Sequence, residues 1–262
     1  MKIGVCFKIV PDYETMLPDE WEKPESLDFA YVKKMYGCFD EPALEMGLRI
    51  GDGCRAAGVP VETVAVTCGA PEGTVSESLL RALFAAGYTD VVLLPACDGF
   101  TPQNTAKSLA SYFSENPADL ILTGRMAGPG DSGMVPVYLA HELGTELYPE
   151  AVSAAWNSED GRVEVFCKEE NVLKQYAVSK GAICTVGDSE AAYLRLFPLK
   201  ARMEAKKREF IHFEPKAEGM NAKKEPVLRY EKVESACRFL VYKTAEETAE
   251  TLIKMLMGED EL

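Results

Sequence analysis

Residues 119–144 read "DLILTGRMAGPGDSGMVPVYLAHELG". An apolar run, Leu120–Leu122, ends in a loop holding Gly124, Gly128, Gly130, Gly133 and a single aspartate, Asp131. A segment with helical apolar spacing, Val135 to Leu143, follows. A short apolar strand, a glycine-rich turn and a helix form one unit of an alternating strand–helix fold. The question is what the turn holds.

Working outward, the same unit recurs upstream. Lys2 to Val10 carries Ile3, Val5, Phe7 and Ile9 and is expected to be a strand covered on both faces. Residues 11–39 read as irregular and acidic. Asp40, as N-cap, and Pro42 then open a helix running towards Gly58. "VETVAVTCG", Val61 to Gly69, is the second strand. Its helix carries an apolar stripe of Val75, Leu79, Leu80, Leu83 and Phe84 and stops at Gly87. "DVVLLPA" is the third strand, and Thr101-Pro102 opens a third helix through Leu109 and Phe113. Four such units imply a parallel sheet with helices on both faces. From Ala151 the pattern changes: "AVSAAWN" and "RVEVFCKEE" flank "SEDG" as an antiparallel hairpin, and "VLKQYAVSK" and "AICTVG" continue as extended segments. Thr244-Ala-Glu-Glu247 is a capping box that opens a last helix.

Composition narrows the partners. A chain of 262 residues with 47% hydrophobic content supports one main domain with an appendage. A net charge of −14 would repel a phosphate backbone, which excludes nucleic acid as the main partner. Eight cysteines without a CxxC pair, and only His141 and His212, argue against zinc and iron–sulfur sites. Cys6, Cys68 and Cys184 lie in strand-like runs and read as reduced small hydrophobes of a reducing compartment. No run reaches membrane-spanning length, and "MKIGVCFK" enters a strand directly, so a soluble, cytoplasmic protein is expected.

The 124–133 loop lies where ligands of open parallel sheets bind, beyond the carboxyl ends of the strands. Gly128, Gly130 and Gly133 allow close approach of an anion, Ser132 can donate to a phosphate, and Asp131 can accept from a ribose. It is neither a P-loop nor GxGxxG. A plain connection in which Asp131 or Ser132 caps the next helix explains the spacing equally well. Cys6, Lys8 and Cys68 would line the same crevice if their strands are neighbours.

Taken in order, "MKIGVCFKIVPD", "FDEPALEMGLR", "VTCGAPEG", "LLRALFAAGYTDVVLL", "DLILTGRMAGPGDSG" and "RLFPLKARMEAKK" resemble the β-subunit of electron transfer flavoproteins, roughly to Lys207. The resemblance implies an open parallel-sheet α/β nucleotide-binding fold, Rossmann-like and adenine nucleotide α-hydrolase-like, with the hairpin as an addition and a C-terminal arm. It divides the chain into a core, 1–190, and a recognition loop with partner-binding arm, 191–262. It implies a heterodimer with an α-subunit that holds most of an FAD, a donor of the acyl-CoA dehydrogenase type, no catalysis by this chain and no membrane insertion. Tyr13 and Phe39 correspond to aromatic residues at the rim of that flavin; ordinary interface packing would explain them as well.

The resemblance also maps a purine-nucleotide site, filled by AMP in conventional members, onto Cys6, Cys68, Gly130, Asp131, Ser132, Gly133, Met134 and Val135. The loop departs from the family's usual "GKQAxDxDxxQxG": Arg125, Met126 and Pro129 replace Lys, Gln and the first Asp, and Met134 replaces the later Gln. Gly37 stands where an Asn is expected. Three lost polar groups would weaken binding by roughly 1 kcal/mol each. A second FAD at this position, as in electron-bifurcating members, is not expected, because that pattern is richer in acidic residues and Gln. Leu199 matches the apolar anchor of the family's recognition loop, with Lys200, Arg202, Lys206, Lys207 and Arg208 as a basic collar; an inward-facing Leu199–Met203 pair is the alternative. From another class, a stand-alone adenine-nucleotide sensor of the universal-stress type shares the sheet. A pyrophosphatase or ligase of this broad fold would need a phosphate loop after the first strand, and "KIVPDYE" does not supply it.

Overall fold

The computed structural model describes residues 1–15, 32–69, 74–96, 101–128, 130–216 and 244–257. Most of the acidic segment between residues 11 and 39, the side chain of Val75, Pro129 and the stretch 217–226 lie outside the described residues. The chain divides into two compact units, Met1–Pro226 and Val227–Leu262.

In the first unit, β1 (Lys2–Cys6) is shorter than its apolar pattern suggests. The ladder ends where Phe7 N donates to Val66 O (3.0 Å), because the next amide, Lys8 N, turns to the Asp40 carboxylate (3.0 Å). The chain then leaves the main sheet, and β2 (Ile9–Pro11) pairs antiparallel with β3 (Lys34–Tyr36). Helix α1 (Asp40–Ala56) returns it, followed by β4 (Glu62–Cys68), α2 (Thr74–Ala86), β5 (Asp90–Leu94), α3 (Pro102–Glu115), β6 (Leu120–Gly124) and α4 (Val135–Leu143). The four strand–helix units read from the sequence are present. Thr101 caps α3, its hydroxyl accepting from Asn104 N (3.2 Å), with Pro102 in the first turn.

The remaining strands are β7 (Leu147–Asn157), β8 (Arg162–Glu169), β9 (Val172–Ala177), β10 (Ala182–Val186) and β11 (Ile211–His212), with α5 (Leu199–Ala205) between the last two. All but β2 and β3 join one sheet in the order β11-β5-β4-β1-β6-β10-β7-β8-β9. It is parallel from β11 to β7 and antiparallel across β7, β8 and β9. The hairpin therefore extends the main sheet rather than standing apart. The segment "AICTV" is buried along its whole length as β10, parallel between β6 and β7.

One face buries Val5, Leu122 and Cys184 under α1 and α2, through Leu44, Leu48, Leu83 and Phe84. The other buries Cys6, Val66, Ile121 and Ile183 under α3 and α4, through Leu109, Phe113 and Leu139. Each fully buried leucine contributes about 1.5–3 kcal/mol. The strand order reverses at β1: β4 and β5 lie to one side, and the chain crosses back to place β6 on the other. The diverging connections on either side of β1 open a crevice at the carboxyl ends of β1 and β6. In the second unit, α6 (Ala245–Leu256) is capped by Thr244, whose hydroxyl accepts from Glu247 N (3.2 Å), and none of its residues is buried.

Candidate nucleotide-binding site

The crevice is a cleft of about 890 Å³, counting its open mouth. Cys6, Phe7 and Lys8 from the end of β1, Val66 and Cys68 from β4, and Thr123 and Gly124 from β6 form its floor. Pro102, Thr105 and Leu109 of α3 form one wall, and Arg125 to Ala127, Gly130 to Gly133 and Val135 form the other. The lining mixes apolar surface with a few convergent polar groups, as small-molecule sites do.

Asp40, expected as an N-cap, has another role. Phe39 occupies the N-cap position and no side chain caps α1. The Asp40 carboxylate points down into the sheet, where Oδ2 accepts from Lys8 N (3.0 Å) and Oδ1 from Gly124 N (3.2 Å). It thus ties together the two strands that flank the switch point. Gly37 and Gly124 make room for it: a Cβ on either would overlap a carboxylate oxygen, and one on Gly124 would also come within 2.9 Å of the α1 backbone. Burial pushes Asp40 up to about 7, against the two backbone bonds and the Lys8 charge. Burial likewise lowers the Lys8 ammonium, opposed by Asp40 and Asp131. Cys6 is held as a thiol, far above the usual range, by burial and then by Asp40.

Two side-chain groups at the carboxyl end of β6 are buried without a hydrogen-bond partner: Thr123 Oγ1 and Arg125 Nε. They lie two residues apart, so they project to the same side of an extended chain. Stranding a buried polar atom costs about 1–3 kcal/mol, which makes Thr123 Oγ1, on the cleft floor, a candidate to contact a bound molecule. Arg125 is otherwise held: its guanidinium lies 4.1 Å from the centre of the Phe39 ring and pairs with Glu150 (3.2 Å).

The glycine loop delivers the chain into α4 with positive φ at Gly130 (112°), Asp131 (38°) and Gly133 (61°). Neither Asp131 nor Ser132 caps the helix. Met134 is the N-cap residue and offers no side-chain bond, while Ser132 Oγ accepts from Met134 N (3.4 Å), outside the helix. The first turn of α4 therefore presents its end to the cleft without a side-chain cap, an arrangement that favours an anion.

Of the residues singled out in the sequence, Cys6, Cys68, Gly130, Asp131, Ser132, Gly133 and Val135 share this cleft. Met134 does not line it and is 37% exposed. Phe39 lies under Arg125. Tyr13, in a single turn of 3-10 helix, is raised by partial burial and then by the Asp131 charge, and it does not line the cleft. Leu199 stands elsewhere, on α5, which packs on α2; it and Met203 face outward, 73% and 54% exposed, so the inward-facing alternative fails. Residue types alone did not pick out Asp40 and Thr123. The signal for Asp40 was the pair of glycines, Gly37 and Gly124, whose purpose shows only once the strands are adjacent. Among the described residues no group of three or more His, Cys, Asp or Glu could hold a metal, and no helix is long and apolar enough to cross a membrane.

A nine-stranded, mostly parallel α/β sheet with a cleft at its switch point and a glycine loop feeding an uncapped helix is an open α/β fold of the class that takes ligands at the carboxyl ends of its strands. Residues 37–218 match the family model described as electron transfer flavoprotein domain, well over half of the chain, and the protein belongs to that family. It is 28% identical over 156 residues to a putative electron transfer flavoprotein subunit, YgcR, of Escherichia coli K12, covering 57% of this chain and 58% of that one. It is 30% identical over 144 residues to an electron transfer flavoprotein subunit beta of Bradyrhizobium diazoefficiens, covering 55% of each. The matched segments span a little over half the length of these relatives.

Proposed function

We propose that this chain is the β-type subunit of an electron transfer flavoprotein, a carrier without catalysis of its own. It works as a heterodimer with an α-subunit that holds FAD, and its cleft takes AMP. Electrons arrive from a flavin dehydrogenase of the acyl-CoA type and leave to a further acceptor in the cytoplasm. The family match and the subunit names of the relatives support the carrier role. The observation that carries the nucleotide reading is the pairing of an unpartnered, buried Thr123 hydroxyl with the uncapped start of α4 across one cleft.

The residues present fit an adenine nucleotide. The amides at the start of α4 and the loop from Gly130 to Gly133 receive the phosphate, with Lys8 adding charge from the cleft floor. Thr123 Oγ1 gains a partner, and the apolar surface of Val66, Cys68 and Leu109 takes the base. FAD, when bound with the partner subunit, supplies the redox chemistry. This chain's part is to exclude water from the ring's rim with Tyr13 and Phe39. Arg125, stacked on Phe39 and lining the cleft, joins the two regions. A second FAD is not expected here, because the loop lacks the acidic residues and Gln of that pattern.

The test is titration calorimetry of AMP into the nucleotide-free heterodimer, with Thr123→Val alongside. Wild type should bind one AMP. The variant should bind about tenfold more weakly while its nucleotide-free form melts no lower, because an orphaned hydroxyl has been replaced by a methyl of similar shape. Absence of AMP binding by wild type would overturn the nucleotide reading.

A further inference from the structure

The segment that presents Leu199 is tied down at both ends by arginines from outside the docking face. At its start, Arg195 grips the buried carboxylate of Glu45 on α1: Nε lies 3.1 Å from Oε2 and a terminal nitrogen 3.0 Å from Oε1. Its other terminal nitrogen reaches Asp52 (2.6 Å). The backbone joins in, with Arg195 N donating to Glu45 Oε2 (3.0 Å) and Leu194 N to Glu41 Oε1 (3.1 Å). At its end, Arg81 of α2 donates from one terminal nitrogen to the carbonyls of Ala205 (3.3 Å), Lys206 (3.2 Å) and Arg208 (3.2 Å). Arg81 is itself held by Glu77 (2.7 Å) and lies 5.1 Å from the centre of the Phe210 ring.

Between these clamps is a helix of seven residues, too short to be stable alone, with only Ala205 buried. Carbonyls at a helix end lack intrahelical partners, and a cation there satisfies them and complements the dipole. Leu196, Leu199 and Met203 gain nothing for the fold, being 100%, 73% and 54% exposed. Lys200, Lys206 and Lys207, all exposed, flank them in sequence on a chain of net charge −14, with Lys200 4.0 Å from Glu204.

We infer that Arg81 and Arg195 are positioning residues: two guanidinium clamps that hold residues 196–204 rigid, so that an apolar face flanked by lysines docks into an apolar groove bordered by carboxylates on another protein. This rests on the reading of the chain as an electron carrier that meets a dehydrogenase. Rigidity lowers the ordering cost of each encounter, and the lysines supply the steering that the rest of this acidic surface opposes.

The experiment uses the full chain assembled with its α-subunit, and a purified flavin dehydrogenase of the acyl-CoA type as the probe. Arg81→Gln removes one clamp, and Arg81→Lys keeps the charge without the fork. Arg195→Ala alone would leave Glu45 buried and poorly paired, so Arg195→Ala/Glu45→Gln is made as well. Amide exchange over residues 199–208 should accelerate about tenfold in each clamp variant, with Arg81→Lys intermediate, while exchange of β1, β4 and β6 is unchanged. The dehydrogenase's KM for the heterodimer should rise about tenfold with kcat preserved. Unchanged exchange overturns the inference. So does faster exchange with an unchanged KM when Leu199→Glu raises that KM. If Leu199→Glu itself leaves KM unchanged, docking through this face is wrong whatever the exchange shows.

Discussion

Asp40 is a carboxylate at the base of a cleft, packed between two glycines and accepting from the backbone of two strands. Burial raises it to about 7, against about 3.9 in an unfolded chain. Between about pH 4 and pH 7 the folded form therefore holds a proton that the unfolded form releases. The stability this group contributes is fully present below pH 4 and is lost as the pH rises through 7. Asp40→Asn does not titrate, so the urea midpoint should fall less between pH 5 and pH 8 in the variant than in wild type; equal falls would count against the assignment. The amide must also turn its NH2 towards one of two backbone N–H groups, which costs about 1–3 kcal/mol at pH 5. Gly124→Ala tests the same contact from the other side. Its Cβ would meet Asp40 N and the Phe39 carbonyl carbon at 2.9 Å, and backbone yields less readily than a side chain. A loss of about 2 kcal/mol or more is expected in urea unfolding, together with loss of AMP affinity.

At the scale of elements, what the sequence made legible was whatever depends on short-range pattern. The span Val135–Leu143 of α4 and the Thr101 cap of α3 follow from apolar period and from cap chemistry. Thr101→Ala should cost about 1 kcal/mol of stability, read from urea unfolding, and leave AMP affinity nearly intact, since the Thr101 hydroxyl serves Asn104 N rather than the cleft. What the pattern did not reveal depends on long-range pairing. The apolar run Lys2–Val10 gives no hint that Lys8 N turns to a carboxylate and ends the ladder at Phe7. Nor does "AICTV" show that it inserts between β6 and β7, since an apolar run fits any central strand. The cleft's glycine loop was legible from composition. The uncapped start of α4 was not, because Asp131 and Ser132 are good capping types held by their backbone in the wrong place.

For the whole molecule, strand order decides where chemistry can occur. The reversal at β1 brings Cys6, Cys68, Asp40 and the 124–135 loop into one cleft, although they are spread over about half of the chain. The segment on α5 that exposes Leu196, Leu199 and Met203, held by Arg81 and Arg195, is the second face inferred to work, on a chain of net charge −14. The proposed flavin site is one shared with a partner subunit. The most direct measurement is to co-express the chain with its α-subunit, purify the heterodimer, denature it and quantify the released flavin and adenine nucleotide. One FAD and one AMP per heterodimer are expected. Two flavins, a single flavin with no AMP, or a chain that stays monomeric and free of nucleotide would contradict it.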